Sequence, residues 1–141
     1  MTARIWTPGA EIAPLEAGAT EVDLFRFSAV TWNAHRIHYD RARAQAEGLS
    51  DLVVQAHLQG AWFARLARSI AGPSARLREV SWSNKAPVLA GEQVVLSGSV
   101  DDVEQTPAAS MVSLMMTERG RDGTLRADAS ARVEIPDGVR R

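Results

Sequence analysis

The plainest pattern lies near the C-terminus. Leu125, Ala127, Ala129, Ala131, Val133 and Ile135 alternate with Thr124, Arg126, Asp128, Ser130, Arg132 and Glu134. Period two predicts a strand with one apolar face and one wet face. Three earlier segments read the same way: one through Leu77, Val80 and Trp82, one from Val94 to Val100, and one from Ser110 to Thr117 with Val112, Leu114 and Met116 on one side. Gly120-Arg-Asp-Gly123 supplies the turn before the last strand. Upstream the period changes. Leu58, Ala61, Trp62, Leu66 and Ile70 recur at three- and four-residue steps, which predicts one long helix from His57 to Ala71, stopped by Gly72-Pro73. Trp62, Phe63 and Leu66 read as core or as the wall of an acyl-sized pocket.

The first half is less regular. Residues 1–19 are rich in Ala, Gly and Pro and read as an irregular lead-in. Thr20 to Phe27 alternates partly and reads as a short strand. Phe25, Ala29, Val30 and Trp32 form an apolar cluster at roughly helical spacing. Tyr39 to Glu47 is rich in Ala and Arg and predicts a short helix ended by Gly48. The expected order is a strand, a short helical excursion, one long buried helix, then four antiparallel strands. That is an α+β domain, residues 1–141, with a sheet wrapped on one helix.

Composition narrows the chemistry. Sixteen Lys and Arg against seventeen Asp and Glu give a net charge of −1 over 141 residues. No basic surplus exists to hold a nucleic-acid backbone or an anionic membrane. Arg140-Arg141 reads as a solvated tail. No apolar run is long enough to span a bilayer, and Met1 to Pro14 lacks the continuous apolar stretch of a signal peptide. Cytoplasmic is the expected location. The chain has no cysteine, so disulfides, thiolate metal sites and a cysteine nucleophile are excluded.

Chemistry concentrates in Thr31-Trp-Asn-Ala-His-Arg-Ile-His-Tyr-Asp40, which holds two of the three histidines and the only tyrosine. Histidine is the side chain whose unperturbed pKa lies near neutrality. The third, His57, opens the long helix. A metal site built from His35, His38 and His57 is disfavoured, because no carboxylate partner is marked beside them.

The stretch Arg26-Phe-Ser-Ala-Val-Thr-Trp-Asn-Ala-His-Arg-Ile-His-Tyr-Asp40, followed by Leu52-Val-Val-Gln-Ala-His-Leu-Gln59 and Ser81-Trp-Ser-Asn-Lys-Ala-Pro-Val-Leu-Ala-Gly91, resembles MaoC-like enoyl-thioester hydratases and dehydratases of the hotdog fold. Within that family it resembles most the second half of two-hotdog hydratases of the mesaconyl-CoA hydratase and 3-hydroxyacyl-thioester dehydratase type. The resemblance runs from about Val22 to Ile135. It implies a hotdog: an antiparallel sheet wrapped around one long central helix. It also implies reversible hydration of a 2-enoyl thioester carried on coenzyme A or acyl carrier protein, with no cofactor and no metal. Its expected partner is a second hotdog, as homodimer or heterodimer, with pockets between the two.

In the wider family an Asp-x-Asn-Pro-x-His motif activates a water, and a His-Gly pair opens the long helix with its glycine N–H aimed at the thioester carbonyl. Laid onto this chain, the catalytic His is His38, the Asp position is Asn33, and the His-Gly pair is Gln55-Ala56. The resemblance therefore implies His38 as general base and acid, with Asn33 orienting the water. The N–H groups of Ala56 and His57 would stabilise the thioester oxygen. Tyr39 or Gln55 would add a hydrogen bond to the substrate, and Arg36 would take a carboxylate or phosphate. Structural readings stand beside these. His38 can be bonded and inert, Asn33 a turn residue, Tyr39 a packing residue, Arg36 an ion-paired one, and His35 a surface residue. Two other functions remain open: a catalytically weak subunit completing a partner's site, and a hotdog turned to other biosynthetic chemistry.

Overall fold

The computed structural model describes residues 6–136, so Arg140-Arg141 lies outside the described residues. Five strands form one antiparallel sheet: β1 (Glu11–Gly18), β2 (Arg76–Asn84), β3 (Gln93–Gln105), β4 (Ala109–Gly120) and β5 (Leu125–Pro136). Their order across the sheet is β1-β3-β4-β5-β2. Three helices precede β2: α1 (Glu21–Thr31), α2 (Arg41–Ala46) and α3 (Ala56–Arg68). α3 lies on one face of the sheet. This is the expected hotdog arrangement, with one helix against an antiparallel sheet.

The alternating patterns translate directly. Ala127, Ala129, Ala131 and Val133 of β5 are buried, as are Val112, Leu114 and Met116 of β4. They meet Phe63, Leu66 and Ala67 of α3 in one apolar core. Small residues let helix and sheet approach closely: a Cβ at Gly60 would lie 2.5 Å from the Trp82 ring. The buried face of α3 differs from the expected one. Trp62 and Leu66 are inside, but Phe63 and Ala67 complete the stripe while Ala61 is exposed. The helix also starts one residue earlier than expected and ends at Arg68, before Gly72-Pro73.

Two expectations for the N-terminal part are corrected. The lead-in is not irregular throughout, because Glu11–Gly18 is a strand. It carries Pro14 at no cost to pairing, since β1 is an edge strand and its register with β3 breaks between Ile12 and Leu15. Thr20 to Phe27 is not a strand. Thr20 and Asp23 form a reciprocal capping box, with Asp23 N–H donating to Thr20 Oγ1 at 3.3 Å and Thr20 N–H donating to Asp23 Oδ2 at 2.9 Å. That start signal opens α1 and outweighs the partial alternation. Among the described residues no helix is long and apolar enough to cross a membrane.

Candidate active site

The histidine-bearing segment is held by its own side chains. α1 ends at Trp32, whose φ of 53° turns the chain left-handed. Asn33 then closes a turn, its Oδ1 accepting the His35 N–H at 3.2 Å. The Tyr39 hydroxyl donates to the Ala34 carbonyl at 2.8 Å. Arg36 pairs with Asp40, and Asp40 Oδ1 caps α2 by accepting the Arg43 N–H at 3.1 Å. Between these ties a single turn of 3₁₀ helix, Arg36–His38, points His38 inward.

His38 is 6% exposed. Its Nδ1 lies 2.7 Å from the carbonyl oxygen of Val53. A carbonyl can only accept, so Nδ1 carries the hydrogen and the neutral ring keeps Nε2 as its basic nitrogen. The Val53 carbonyl is itself fixed. Val53 bridges to Leu89, Val54 N–H donates to the Val88 carbonyl at 2.8 Å, and Ala90 N–H donates to the Leu52 carbonyl at 2.9 Å. Burial holds the His38 pKa below its ordinary value of 6.5; the Val53 bond opposes this and His35 adds to it.

A cleft of about 440 Å³ opens beside His38. It brings together four of the expected site residues, Asn33, His38, Ala56 and His57. Ala56 and His57 open α3, and no side chain caps that end. Their N–H groups have no acceptor within the helix. The His57 ring packs edge-on against Trp82, with centroids 6.0 Å apart.

The other three expected residues are placed elsewhere. Gln55 is fully buried, and its Nε2 donates to the Leu24 carbonyl at 2.8 Å and to Ser28 Oγ at 2.9 Å. It ties the start of α3 to α1 and is no part of the cleft wall. Tyr39 is spent on Ala34 and packs edge-on against Phe25. Arg36 is exposed and paired with Asp40, and it does not line the cleft. His35, by contrast, lines the cleft, with its exposed ring 3.4 Å from Glu47. Among the described residues no cluster of three or more His, Asp or Glu side chains is arranged to hold a metal ion.

Gln59 and Asn84 are among the cleft-wall residues that sequence reasoning missed. Asn84 Nδ2 donates to Gln59 Oε1 at 2.5 Å, and Gln59 Nε2 donates to Glu118 Oε1 at 2.8 Å. Glu118 is fully buried, and burial pushes its pKa above the usual 4.5; Gln59 opposes the shift, Glu92 adds to it and Arg126 opposes it. A signal existed for both inner members. Gln59 is a polar residue inside the apolar stripe of α3. Glu118 falls on the inward register of β4 two residues beyond Met116.

Comparison with known proteins gives concordant results. Residues 7–90 match the family described as hydroxyacyl-thioester dehydratase type 2. A stretch of 46 residues is 59% identical to mesaconyl-C(4)-CoA hydratase of Chloroflexus aurantiacus, covering 32% of this chain and 16% of that protein. The chain thus matches only about a sixth of that relative's length. Among solved structures, the ChsH1–ChsH2 complex from Mycobacterium tuberculosis gives a TM-score of 0.83 at 21% identity, over 93% of this chain and 99% of that one. The (R)-hydratase from A. caviae involved in PHA biosynthesis gives 0.84 at 21% identity, over 95% and 100%. At that identity the structures establish the fold. The match to residues 7–90 spans more than half of the chain and carries the whole histidine segment. This protein belongs to the hydroxyacyl-thioester dehydratase type 2 family.

Proposed function

We propose that this protein adds water reversibly to a 2-enoyl thioester carried on coenzyme A or acyl carrier protein, with His38 as the proton-transfer group. One observation carries the reading: a buried imidazole whose Nδ1–H is tied to Val53, beside a cleft where its Nε2 is the free base. Family membership supports the reaction class. Nε2 takes a proton from water, the water oxygen bonds to C3, and the C2–C3 π pair moves toward C2 and the thioester carbonyl. The imidazolium then returns the proton at C2. Dehydration of the 3-hydroxyacyl thioester is the same path reversed.

The remaining roles follow position. The Ala56 and His57 N–H groups stabilise charge on the thioester oxygen, and the positive end of α3 lies behind them. The methyl of Ala56 narrows the approach to its own N–H, so the acyl carbonyl is received nearer His57. Asn33 lies on the cleft with one lone pair of its Oδ1 given to His35, which leaves its NH2 group for the water or the substrate. Gln55, Tyr39 and Arg36 act as structural ties that hold the His38 segment.

The reading includes a second hotdog domain against this one. Val22, Phe25 and Trp32 are 55%, 61% and 92% exposed beside the His38 segment, and such a cluster of large apolar groups marks an interface. One of the structural relatives is a complex, ChsH1–ChsH2. The partner is either a second copy or another hotdog.

The test is direct. His38→Ala should lower turnover of crotonyl-CoA by about 10²–10⁴-fold, the usual contribution of a positioned acid–base group. Loss of enoyl-thioester absorbance follows the rate and circular dichroism confirms the fold. Undiminished turnover in that variant would falsify the role of His38. A folded wild-type chain that gains turnover only when a hotdog partner is added would reassign it as a completing subunit.

A further inference from the structure

We propose that Asn84 contacts the substrate in this cleft, and that Gln59 and Glu118 are positioning residues that set which way its amide points. The proposal rests on the hydratase reading above. The geometry runs outward from the core. Glu118 on β4 is fully buried; its Oε1 accepts from Gln59 Nε2 at 2.8 Å, and its Oε2 has no hydrogen-bond partner. A carboxyl oxygen can accept that bond whether the group is ionised or neutral. In the structure the Gln59 amide has its nitrogen toward β4 and its oxygen toward the cleft. That oxygen accepts from Asn84 Nδ2 at 2.5 Å. Asn84 in turn is fixed with its nitrogen drawn to Gln59, which leaves Oδ1 as the acceptor it offers at the end of β2.

The reaction has a use for such an acceptor. The water to be activated has two hydrogens, and His38 Nε2 takes one. The other needs an oxygen that accepts and does not transfer. Asn33 Oδ1 has one of its two lone pairs given to the His35 N–H, whereas Asn84 lines the same cleft as His38 and among the described residues no donor reaches its Oδ1. Asn84 Oδ1 holds the second hydrogen of the attacking water, and the hydroxyl hydrogen of the 3-hydroxyacyl group in the reverse direction. It gains and loses no proton.

The arrangement is expensive for a purely structural one. A carboxyl buried with one oxygen unbonded destabilises the fold, and apolar residues of similar size are often better there. A buried carboxamide–carboxyl chain that ends at the cleft has a reason to persist when its outer end meets substrate.

The experiment compares wild type, His38→Ala, Asn84→Ala, Glu118→Gln, Glu118→Leu and Asn84→Ala/Glu118→Leu in the crotonyl-CoA assay. Asn84→Ala should lower kcat by about tenfold to a hundredfold, the cost of misplacing a reactant, with KM within about threefold. Glu118→Gln keeps an acceptor for Gln59 and should stay within about threefold of wild-type kcat. Glu118→Leu should lose kcat as Asn84→Ala does, although its melting temperature is unchanged or raised. The double variant should be no slower than the slower single one, since all three residues act through one oxygen. Should Glu118→Leu fail to fold, Gln59→Met replaces it. Turnover in wild type, the expected loss in His38→Ala, and full kcat in Asn84→Ala would overturn this proposal and leave the hydratase reading intact. Full kcat in a folded Glu118→Leu would overturn the positioning role. No turnover in wild type, alone or with a hotdog partner, would overturn both.

Discussion

A single imidazole shows how burial and a hydrogen bond act together. The Val53 carbonyl accepts from Nδ1–H, which a neutral or a charged ring can donate, so the bond alone does not choose the protonation state; it raises the pKa. Burial acts in the opposite sense and dominates, holding the folded-state pKa below 6.5. In the unfolded chain the ring titrates near 6.5. The folded state binds fewer protons between these two values, so stability gained from keeping His38 neutral is complete above 6.5 and is lost as pH falls toward the folded pKa. In the proposed role of His38, the same shift keeps the base competent in mild acid. The acid limb of kcat/KM, which reports groups of the free enzyme, should therefore have its inflection below pH 6.5. A pH–rate profile with that inflection at or above 6.5 would contradict the lowered pKa. At this scale the sequence was partly legible. His38 and Asn33 stand in a recognisable motif, and the structure brings them to one cleft with Ala56 and His57. Gln55, Tyr39 and Arg36 lie outside that cleft, which the sequence does not reveal, because a polar side chain near a motif looks the same whether it faces substrate or backbone. Only the fold reveals that Gln55 reaches back 31 residues to Leu24.

At the scale of elements, the strands were legible because each has one buried face. β4 and β5 bury every second residue for most of their length, and that alternation survives in the sequence. β1 was hidden for the opposite reason. It is an edge strand with one buried residue, Ile12, and a proline, and its pairing with β3 is made by backbone groups that leave no side-chain signature. α1 was misread because its exposed positions mix polar Glu21, Asp23 and Arg26 with apolar Val22 and Phe25. Only Leu24 and Ser28 are buried, while Val22 and Phe25 are exposed, so helical amphipathicity is absent. What makes it a helix is its cap. Thr20→Ala removes one half of the capping box and should cost about 1 kcal/mol. For a chain of this size that lowers the melting temperature by about 3–5 °C, readable by thermal unfolding. An unchanged melting temperature would mean that α1 is held by its contacts through Gln55 and not by its start signal.

For the whole molecule, α1 raises the question of what covers it. Val22, Phe25 and Ala29 share one face at a helical spacing, and Trp32 follows at the end with its ring almost wholly in solvent. Phe25 also packs edge-on against Tyr39, which anchors the His38 segment, so the exposed cluster and the cleft are parts of one construction. A charged outer face would have kept such a helix soluble at no cost to the capping box. An apolar one costs free energy in an isolated chain and is repaid only on contact. If Phe25 and Trp32 are buried against a second hotdog, each contributes about 1.5–3 kcal/mol of apolar transfer. Replacing both with serine should then weaken association by at least about a hundredfold. Sedimentation velocity of the wild-type chain, alone and with a hotdog partner, should show a dimer that Phe25→Ser/Trp32→Ser dissociates without loss of its circular dichroism. The variant monomer should also lose turnover, because the cluster is joined to the His38 segment through Tyr39. A double variant that still sediments as the dimer would show that the two domains meet elsewhere. A wild-type monomer with full crotonyl-CoA turnover would show that the cleft is complete within one hotdog.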